Sequence, residues 1–318
     1  MKADADGVRF SRLILKNQEV FPVKEPIFTG SGVALITPFK GGMVDYNALE
    51  QLLTFQLQNG TDAIIVCGTT GESSTMSYHE RMRAIEFCVK HVDKKVPVIA
   101  GSGSNSTENA IALSRDARRA GADALLVVTP YYNKATQEGL VRHYRAIADA
   151  VDIPLILYNV PSRTGVNIAP ETYAILAQHP NIAGTKEANG DLSAIQRTRN
   201  LCPPDFTIWS GNDDETVPIC ALGGKGVISV VANIMPELMH RMVKHCLAGD
   251  YGASGQLQLK LKPLCDAMFC EVNPIPVKTA LAMLGKDTGE LRLPLCPPSE
   301  EHAALIRKTL AEYGLIEQ

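Results

Sequence analysis

The sequence predicts an α/β protein built on a closed (β/α)8 TIM barrel that is followed by a small C-terminal helical domain. Eight short apolar runs rich in Val and Ile recur along the chain, and helical patterns fill the gaps between them. A short run that is apolar nearly throughout is typical of a parallel strand covered on both faces. No glycine-rich GxGxxG follows the first run, so eight successive strand and helix units favour a closed barrel over a doubly wound dinucleotide-binding fold.

The eight predicted strands each end in polar or turn-forming residues. In chain order they are "GVALITPF" from Gly32, "DAIIVCGTTG" from Asp62, "VPVIAGSG" from Val96, "DALLVVTPYY" from Asp123, "IPLILYNVP" from Ile153, "IAGTKEA" from Ile182, "FTIWSGND" from Phe206 and "KGVISVVAN" from Lys225. Active sites of such barrels lie at the C-terminal ends of the strands. The residues that end these runs are therefore the candidates for chemistry.

Capping residues and helix stops predict the helices between the strands. Asp45 and Thr107 are placed to cap two helices that Gly60 and Gly121 end, and Pro170 stands in the first turn of a third. After "PELMHRMVKHCLAGD" the strand patterns cease and only helical patterns follow. The predicted parts are an unassigned N-terminal arm at residues 1–27, the (β/α)8 barrel at 28–250 and a helical domain at 251–318.

Composition excludes several classes of function. The net charge of -3, without a Lys/Arg-rich block, argues against nucleic acid as a partner. The eight cysteines form no CxxC pair, and a disulfide framework is not expected in a chain of 318 residues, so we predict reduced thiols and a cytoplasmic location. No segment approaches the roughly 18 uninterrupted apolar residues of a membrane span. The chain is expected to be soluble and not to bind a membrane.

Lys186 is the one lysine that ends a predicted strand among neighbouring hydroxyl groups. A lysine amine with the ordinary pKa of ~10.4 is a poor nucleophile at pH 7, and lowering its pKa by about 3 units requires roughly 4 kcal/mol, which burial can supply. Lys186 is therefore a candidate for Schiff-base formation, and the competing interpretation is an ion pair with Glu187. No cluster of ligands at metal-binding spacing and no phosphate loop appears, so neither metal nor phosphate chemistry is expected.

Three further strand ends favour the nucleophile. Schiff-base chemistry needs proton transfer, and "TPYYN" at Thr129 and "YNVPSRTG" at Tyr158 supply tyrosine hydroxyls for it. "GTTGE" at Gly68 adds hydroxyls, and its glycines allow backbone N–H groups to approach an anion. Taken singly, either tyrosine is better explained as a packed aromatic ring with its hydroxyl at the rim, and "GTTGE" is as compatible with a plain strand-to-helix turn. If Lys186 points into the barrel, Glu187 is expected to point away from its axis.

Together these strand ends resemble the dihydrodipicolinate synthase / N-acetylneuraminate lyase superfamily of pyruvate-dependent Schiff-base enzymes. The resemblance runs from about Phe28 to the C-terminus and includes "GTTGES", "VVTPYYNK", "YNVPSRTG", "GTKEA", "GGKGVISV" and "NPIPVK", which begins at Asn273. It implies the same barrel and helical domain, and a covalent pyruvate intermediate without a cofactor.

The resemblance also implies a role for each matched residue. Lys186 would form the Schiff base, Thr70 would hold the pyruvate carboxylate, and Arg163 would bind the carboxylate of the second substrate. The remaining matches are a proton relay of Thr69, Tyr158 and Tyr132, and backbone carbonyls near the site at Gly211 and Ile228. The residue matching Tyr132 reaches into the adjacent subunit, which implies at least a dimer, and family members are commonly tetramers built from two dimers.

Arg163 indicates the second substrate. "RTG" after "YNVPS" resembles the synthase branch of the family, and a guanidinium fork suits a carboxylate. The reaction implied is condensation of pyruvate with L-aspartate-4-semialdehyde, in the diaminopimelate route of lysine biosynthesis. One alternative is a pyruvate-dependent aldolase that acts on a 2-keto-3-deoxy sugar acid or a sialic acid. Another is a non-catalytic keto-acid sensor, in which the lysine or a relay hydroxyl would be expected to be lost; here all are present.

Regulation is where the chain departs from the family pattern. Ser73, Asn105 and Tyr131 match an allosteric lysine site, but Asn109 stands where lysine-inhibited members commonly carry an acidic residue. Histidines can occupy the two remaining positions, which here are Tyr78 and Arg81.

We therefore predict weak or absent inhibition by lysine. The ammonium of a lysine ligand needs a carboxylate, whereas Asn109 offers a neutral amide and Arg81 adds repulsion. A titration of activity with lysine measures this, and inhibition at sub-millimolar lysine would contradict the prediction.

Overall fold

The structure, a computed structural model, describes residues 24–317 and contains the predicted closed parallel barrel. The barrel strands are β1 (Gly30–Ala34), β4 (Ala63–Val66), β5 (Val98–Gly101), β6 (Ala124–Val128), β7 (Leu155–Asn159), β8 (Ile182–Glu187), β9 (Thr207–Ser210) and β10 (Gly226–Ser229). A short hairpin, β2 (Phe39–Lys40) and β3 (Met43–Val44), follows the first strand. Pairing of β1 with β10 closes the barrel, and all eight predicted strands are confirmed.

Helices connect the barrel strands and cover them on the outside. They are α1 (Tyr46–Gln58), α2 (Tyr78–Val92), α3 (Thr107–Arg119), α4 (Gln137–Asp149), α5 (Pro161–Thr164), α6 (Pro170–Leu176), α7 (Leu192–Leu201), α8 (Thr216–Ala221), α9 (Pro236–Leu247), α10 (Tyr251–Met268), α11 (Ile275–Met283) and α12 (Glu300–Glu312). The last three confirm the predicted C-terminal helices. The domain boundary after residue 250 stays a prediction, and most of the predicted arm lies outside the described residues.

The helix caps explain where two of these helices begin. Asp45 caps α1 as predicted, because its side chain accepts hydrogen bonds from the N–H groups of Asn47 and Ala48. Thr107 was predicted to cap α3, and that prediction is wrong by one residue. Ser106 has the extended backbone of a cap and its Oγ accepts from the N–H of Asn109. Two adjacent hydroxyl residues offer the same local signal, so only the backbone conformation distinguishes them.

Alternation along the strands divides the buried side chains into two cores. One fills the barrel and includes Ile99, Leu126, Ile156 and Trp209, whose ring stacks on Phe28 at 5.2 Å between centroids. The other lies between the barrel and its helices. Because successive strand residues point to opposite faces, adjacent residues enter different cores. The two neighbours at the end of β8 are therefore separated by the sheet itself.

The remaining sequence expectations concern solubility and thiols. Among the helices of residues 24–317, none combines the length and apolar character that a bilayer crossing requires. All eight cysteines are free, and six are buried, whereas Cys270 is partly exposed and Cys296 is exposed. The cytoplasmic location stays a prediction.

Gly184 on β8 is predicted to be intolerant of a side chain. A Cβ there would lie 2.0 Å from the backbone oxygen of Thr207 on β9, so the strand that carries Lys186 would have to shift. We expect Gly184→Ala to lower the free energy of unfolding by at least about 2 kcal/mol in urea denaturation.

Gly255→Ala is the matched control for this substitution. Gly255 lies inside α10, and within residues 24–317 no atom apart from its own helix backbone would lie within 4 Å of the new Cβ, so alanine should stabilise the helix by about 0.5 to 1 kcal/mol. A Gly184→Ala protein as stable as the wild type would contradict the tight strand packing.

Candidate active site

Lys186 lies at the C-terminal end of β8, in register with Tyr158 of β7 and Trp209 of β9. Its side chain is 5% exposed, and Nζ lies 4.4 Å from the centroid of the Tyr158 ring. None of the ion pairs found within residues 24–317 includes Lys186. The amine is thus neither a solvated surface charge nor the partner of Glu187.

Glu187 points to the outer side of β8, as the alternation predicts. Its carboxylate accepts hydrogen bonds from Tyr173 Oη at 2.7 Å, Asn159 Nδ2 at 2.9 Å and the backbone N–H of Asn189 at 3.1 Å. Burial raises the pKa of this carboxyl to about 7, against the opposing effect of these donors. Glu187 therefore links the ends of β7 and β8 to α6, and supports the strand that carries Lys186.

The "GTTGE" segment forms a tight turn at the end of β4. Thr70 is buried, and Thr69 is partly buried and accepts a hydrogen bond at its backbone oxygen from the N–H of Glu72 at 3.0 Å. Thr37, from the loop after β1, donates to the backbone oxygen of Gly71 at 2.7 Å. Glu72 has a left-handed backbone with φ of 51°. The turn is thus closed by its own hydrogen bond and anchored by Thr37, with its hydroxyls at the same end of the barrel as Lys186.

Arg163 and Tyr132 occupy adjoining loops at this end of the barrel. The N–H of Tyr132 donates to the backbone oxygen of Thr164 at 3.4 Å, and Arg163 Nη2 donates to the backbone oxygen of Asn273 at 3.2 Å. Arg163 is exposed, so its charge is available at the mouth of the barrel. Tyr132 is 89% exposed and has a left-handed φ of 73°. Its ring is therefore not packed in the core of its own chain.

Gly211 and Ile228 lie at the ends of the next two strands. The N–H of Gly211 donates to the backbone oxygen of Glu187 at 2.7 Å, which joins the end of β9 to the end of β8. A Cβ at this glycine would lie 2.7 Å from Cβ of Ala188, so the close approach requires glycine. Ile228 is fully buried inside the barrel. These residues complete the ring of strand ends around Lys186.

Residues 27–313 match the sequence model of the dihydrodipicolinate synthetase family. The chain belongs to this family. It is 55% identical to the 4-hydroxy-tetrahydrodipicolinate synthase of Geobacter sulfurreducens, over 91% of this chain and 100% of that protein.

Crystal structures of two family members are similar to this fold. A dihydrodipicolinate synthase from Thermotoga maritima is 48% identical with a TM-score of 0.90, over 91% of this chain and 100% of that one. A chloride-inhibited dihydrodipicolinate synthase from Acinetobacter baumannii, complexed with pyruvate, is 45% identical with a TM-score of 0.88, over 91% and 99% of the two chains.

Within this dihydrodipicolinate synthetase fold, Asp213 is a buried carboxyl after a barrel strand that the sequence analysis did not single out. It follows β9 and is 2% exposed, and its Oδ2 accepts hydrogen bonds from the N–H groups of Val230 and Val231 at 3.0 and 3.1 Å. Burial raises the pKa of the carboxyl, and among the opposing influences is the nearby charge of Lys186. The signal available in the sequence was the acidic pair that follows "WSGN".

The positions of the predicted allosteric site lie on the loops and helices that follow β4, β5 and β6. Tyr78 donates to Asp116 at 2.7 Å and Arg81 donates to the backbone oxygen of Gly101 at 2.8 Å. Burial lowers the pKa of the Arg81 guanidinium. Of the other four positions, Ser73 and Asn105 are partly buried, and Asn109 and Tyr131 are exposed.

Glu187 is expected to make stability depend on pH. Its pKa of about 7 in the folded chain exceeds the ordinary value of 4.5, so between these values the folded state binds more protons than the unfolded state. Stability from this group is complete below about pH 4.5 and is lost as the pH rises through about 7, a decrease of about 3 kcal/mol. Glu187→Gln should remove this part of the slope in urea denaturation at pH 5 to 8.

Glu138→Gln serves as the control, since this exposed carboxylate pairs with Arg142 on the surface of α4. It should leave the slope as in the wild type. An undiminished slope in Glu187→Gln would show that another group is responsible.

Proposed function

We propose that this chain is a 4-hydroxy-tetrahydrodipicolinate synthase that condenses pyruvate with L-aspartate-4-semialdehyde through a Schiff base. The observation that carries the proposal is a buried lysine, Lys186, at a barrel strand end and beside the Tyr158 ring. The names of its relatives and the pyruvate complex of one family member support the choice of reaction and of first substrate. In this scheme the covalent pyruvate adduct replaces a cofactor.

The chemistry requires the amine of the buried Lys186 in its neutral, nucleophilic form. The Lys186 amine adds to the keto carbon of pyruvate, and loss of water from the carbinolamine forms the imine. Removal of a proton from the methyl carbon gives an enamine, which attacks the aldehyde carbon of the second substrate. The amine of that substrate then displaces Lys186 by transimination, and the cyclised product leaves. Each proton transfer needs a positioned acid or base, the role we propose for Thr69, Tyr158 and Tyr132.

Two carboxylates must be held while this occurs. We assign the pyruvate carboxylate to the buried hydroxyl of Thr70, and the carboxylate of the second substrate to the exposed guanidinium of Arg163. Backbone carbonyls at Gly211 and Ile228 would face the polar groups of the bound intermediate. A planar guanidinium presents two parallel donors to a carboxylate, which favours a short carboxylic substrate over a polyhydroxylated sugar acid.

Borohydride reduction in the presence of pyruvate tests the Schiff base. Reduction should fix a three-carbon adduct on Lys186, detectable by mass spectrometry of the digested protein. Lys186→Ala should trap nothing and lose the condensation activity, whereas Lys244→Ala, at an exposed lysine on α9, should behave as the wild type.

Substrate identity is measured on the same preparations. Pyruvate with aspartate semialdehyde should give product, and cleavage of a 2-keto-3-deoxy sugar acid or a sialic acid should be at least about a hundredfold slower in kcat/KM. Pyruvate trapping by Lys186→Ala would overturn the mechanism, and faster cleavage of the sugar acid would overturn the choice of substrate.

We also propose a homo-oligomer in the cytoplasm, a tetramer made of two dimers, in which Tyr132 completes the site of a second copy. The 89% exposure of this tyrosine in the single chain supports that arrangement. Sedimentation of the purified protein measures the number of subunits.

Complementation tests the shared site. Lys186→Ala and Tyr132→Phe chains should each have little activity alone. Hybrid oligomers from co-expression contain sites with both wild-type residues, so activity should be regained. Hybrids no more active than the two variants measured separately would contradict a site shared between subunits.

A further inference from the structure

Asn273 contacts both groups to which the proposed function assigns substrate carboxylates. It begins the "NPIPVK" segment, which leads into α11, and it is 6% exposed. Its side-chain Nδ2 donates a hydrogen bond to Thr70 Oγ1 at 2.9 Å, and its backbone oxygen accepts from Arg163 Nη2 at 3.2 Å. One residue from the C-terminal segment therefore joins two loops of the barrel mouth.

The direction of the first hydrogen bond determines what Thr70 can do. A threonine hydroxyl has one proton to donate and two lone pairs that accept. Because Asn273 Nδ2 donates, it uses a lone pair of Thr70 Oγ1 and leaves the hydroxyl proton free. A free proton in a buried turn is available to an anion, and the donor bound behind it strengthens it through hydrogen-bond cooperativity. Thr70 is thus oriented as a donor.

The segment that carries Asn273 is anchored a second time, at Lys278. Nζ of this lysine is fully buried and binds Glu72 Oε1 at 2.7 Å and the backbone oxygen of Thr37 at 3.0 Å. Glu72 lies two residues after Thr70 in the same turn. The C-terminal segment therefore holds the "GTTGE" turn at two points, which fixes the amide of Asn273 relative to the hydroxyl it contacts.

The side-chain oxygen of Asn273 makes no hydrogen bond with the described residues. Within residues 24–317, Oδ1 of Asn273 is buried without a hydrogen-bond partner. The hydrogen bond from Nδ2 to Thr70 is therefore the side-chain contact that Asn273 makes within the described residues.

We propose that Asn273 is a positioning residue for the keto-acid carboxylate, an inference that rests on the proposed function of Thr70. Its side chain turns the Thr70 hydroxyl proton toward the substrate, and its backbone oxygen holds the Arg163 guanidinium at the mouth. The C-terminal segment thereby sets the affinity for pyruvate without contacting it.

Asn273→Asp reverses the hydrogen bond with little change in shape. The aspartate would accept the Thr70 proton and place a negative charge beside the site for an anion. We expect the pyruvate concentration at half-saturation of borohydride trapping to rise by roughly tenfold to a hundredfold. Asn273→Ala, which only releases the hydroxyl, should raise it by roughly threefold to tenfold. For both variants kcat at saturating pyruvate should change by less than about threefold.

A double-mutant cycle separates this role from a structural one. In a Thr70→Val chain the hydroxyl is absent, so adding Asn273→Ala should cause no further rise in half-saturation. Asn181→Asp is the matched control. Asn181 directly precedes β8, and its side-chain amide donates to the backbone oxygens of Ala148 and Val151. It should lower the Tm and leave pyruvate half-saturation unchanged.

Each result decides the inference. Half-saturation within twofold of the wild type in folded Asn273→Ala, or additive effects in the cycle, would overturn it. If Asn273→Asp does not fold, the cycle with Asn273→Ala decides alone. A wild-type chain that traps no pyruvate would overturn the proposed function and this inference together, whereas normal trapping in both the wild type and the Asn273 variants overturns the inference only.

Discussion

The backbone pairing of β1 with β10 closes the sheet, and the rest of the structure depends on that closure. A closed parallel ladder leaves no free edge, and it directs all eight strand ends to one mouth. In a closed barrel, side chains along each strand alternate between the barrel interior and the surrounding helices. Lys186 is buried in the mouth for this geometric reason, with Tyr158 in register beside it.

Lys186 and Glu187 show how strictly the sheet separates its two faces. The two charges are adjacent in the sequence, but successive strand residues point to opposite faces, so each side chain has its own environment. The lysine lies over an aromatic ring, and the carboxylate is surrounded by hydrogen-bond donors. With a pKa of about 7, Glu187 is partly protonated at neutral pH, and so brings less than a full negative charge to the outer core. The strand thus presents an amine on one face and is anchored through the other.

The C-terminal segment is bound to the barrel mouth by a buried ion pair. Lys278 and Glu72 are both fully buried, and the ammonium also lies 4.3 Å from the centroid of the Phe39 ring. Removing one partner of such a pair leaves an uncompensated buried charge, which is strongly destabilising. The helical segment is therefore part of the mouth rather than an appendage, since it supplies contacts to the turn that carries Thr69 and Thr70.

Local patterns in the sequence were sufficient to predict the eight strands, the cap at Asp45 and the position of Lys186 at a strand end, because each depends on periodicity or on neighbours in the chain. They could not distinguish Ser106 from Thr107 as a cap, or a surface lysine from a buried one. Tertiary structure alone decided that Lys186 is buried, that the Asp213 carboxylate binds the backbone of Val230 and Val231, and that Asn273 contacts Thr70, 203 residues away in the chain. Such contacts follow from packing between distant segments, and no local periodicity encodes them.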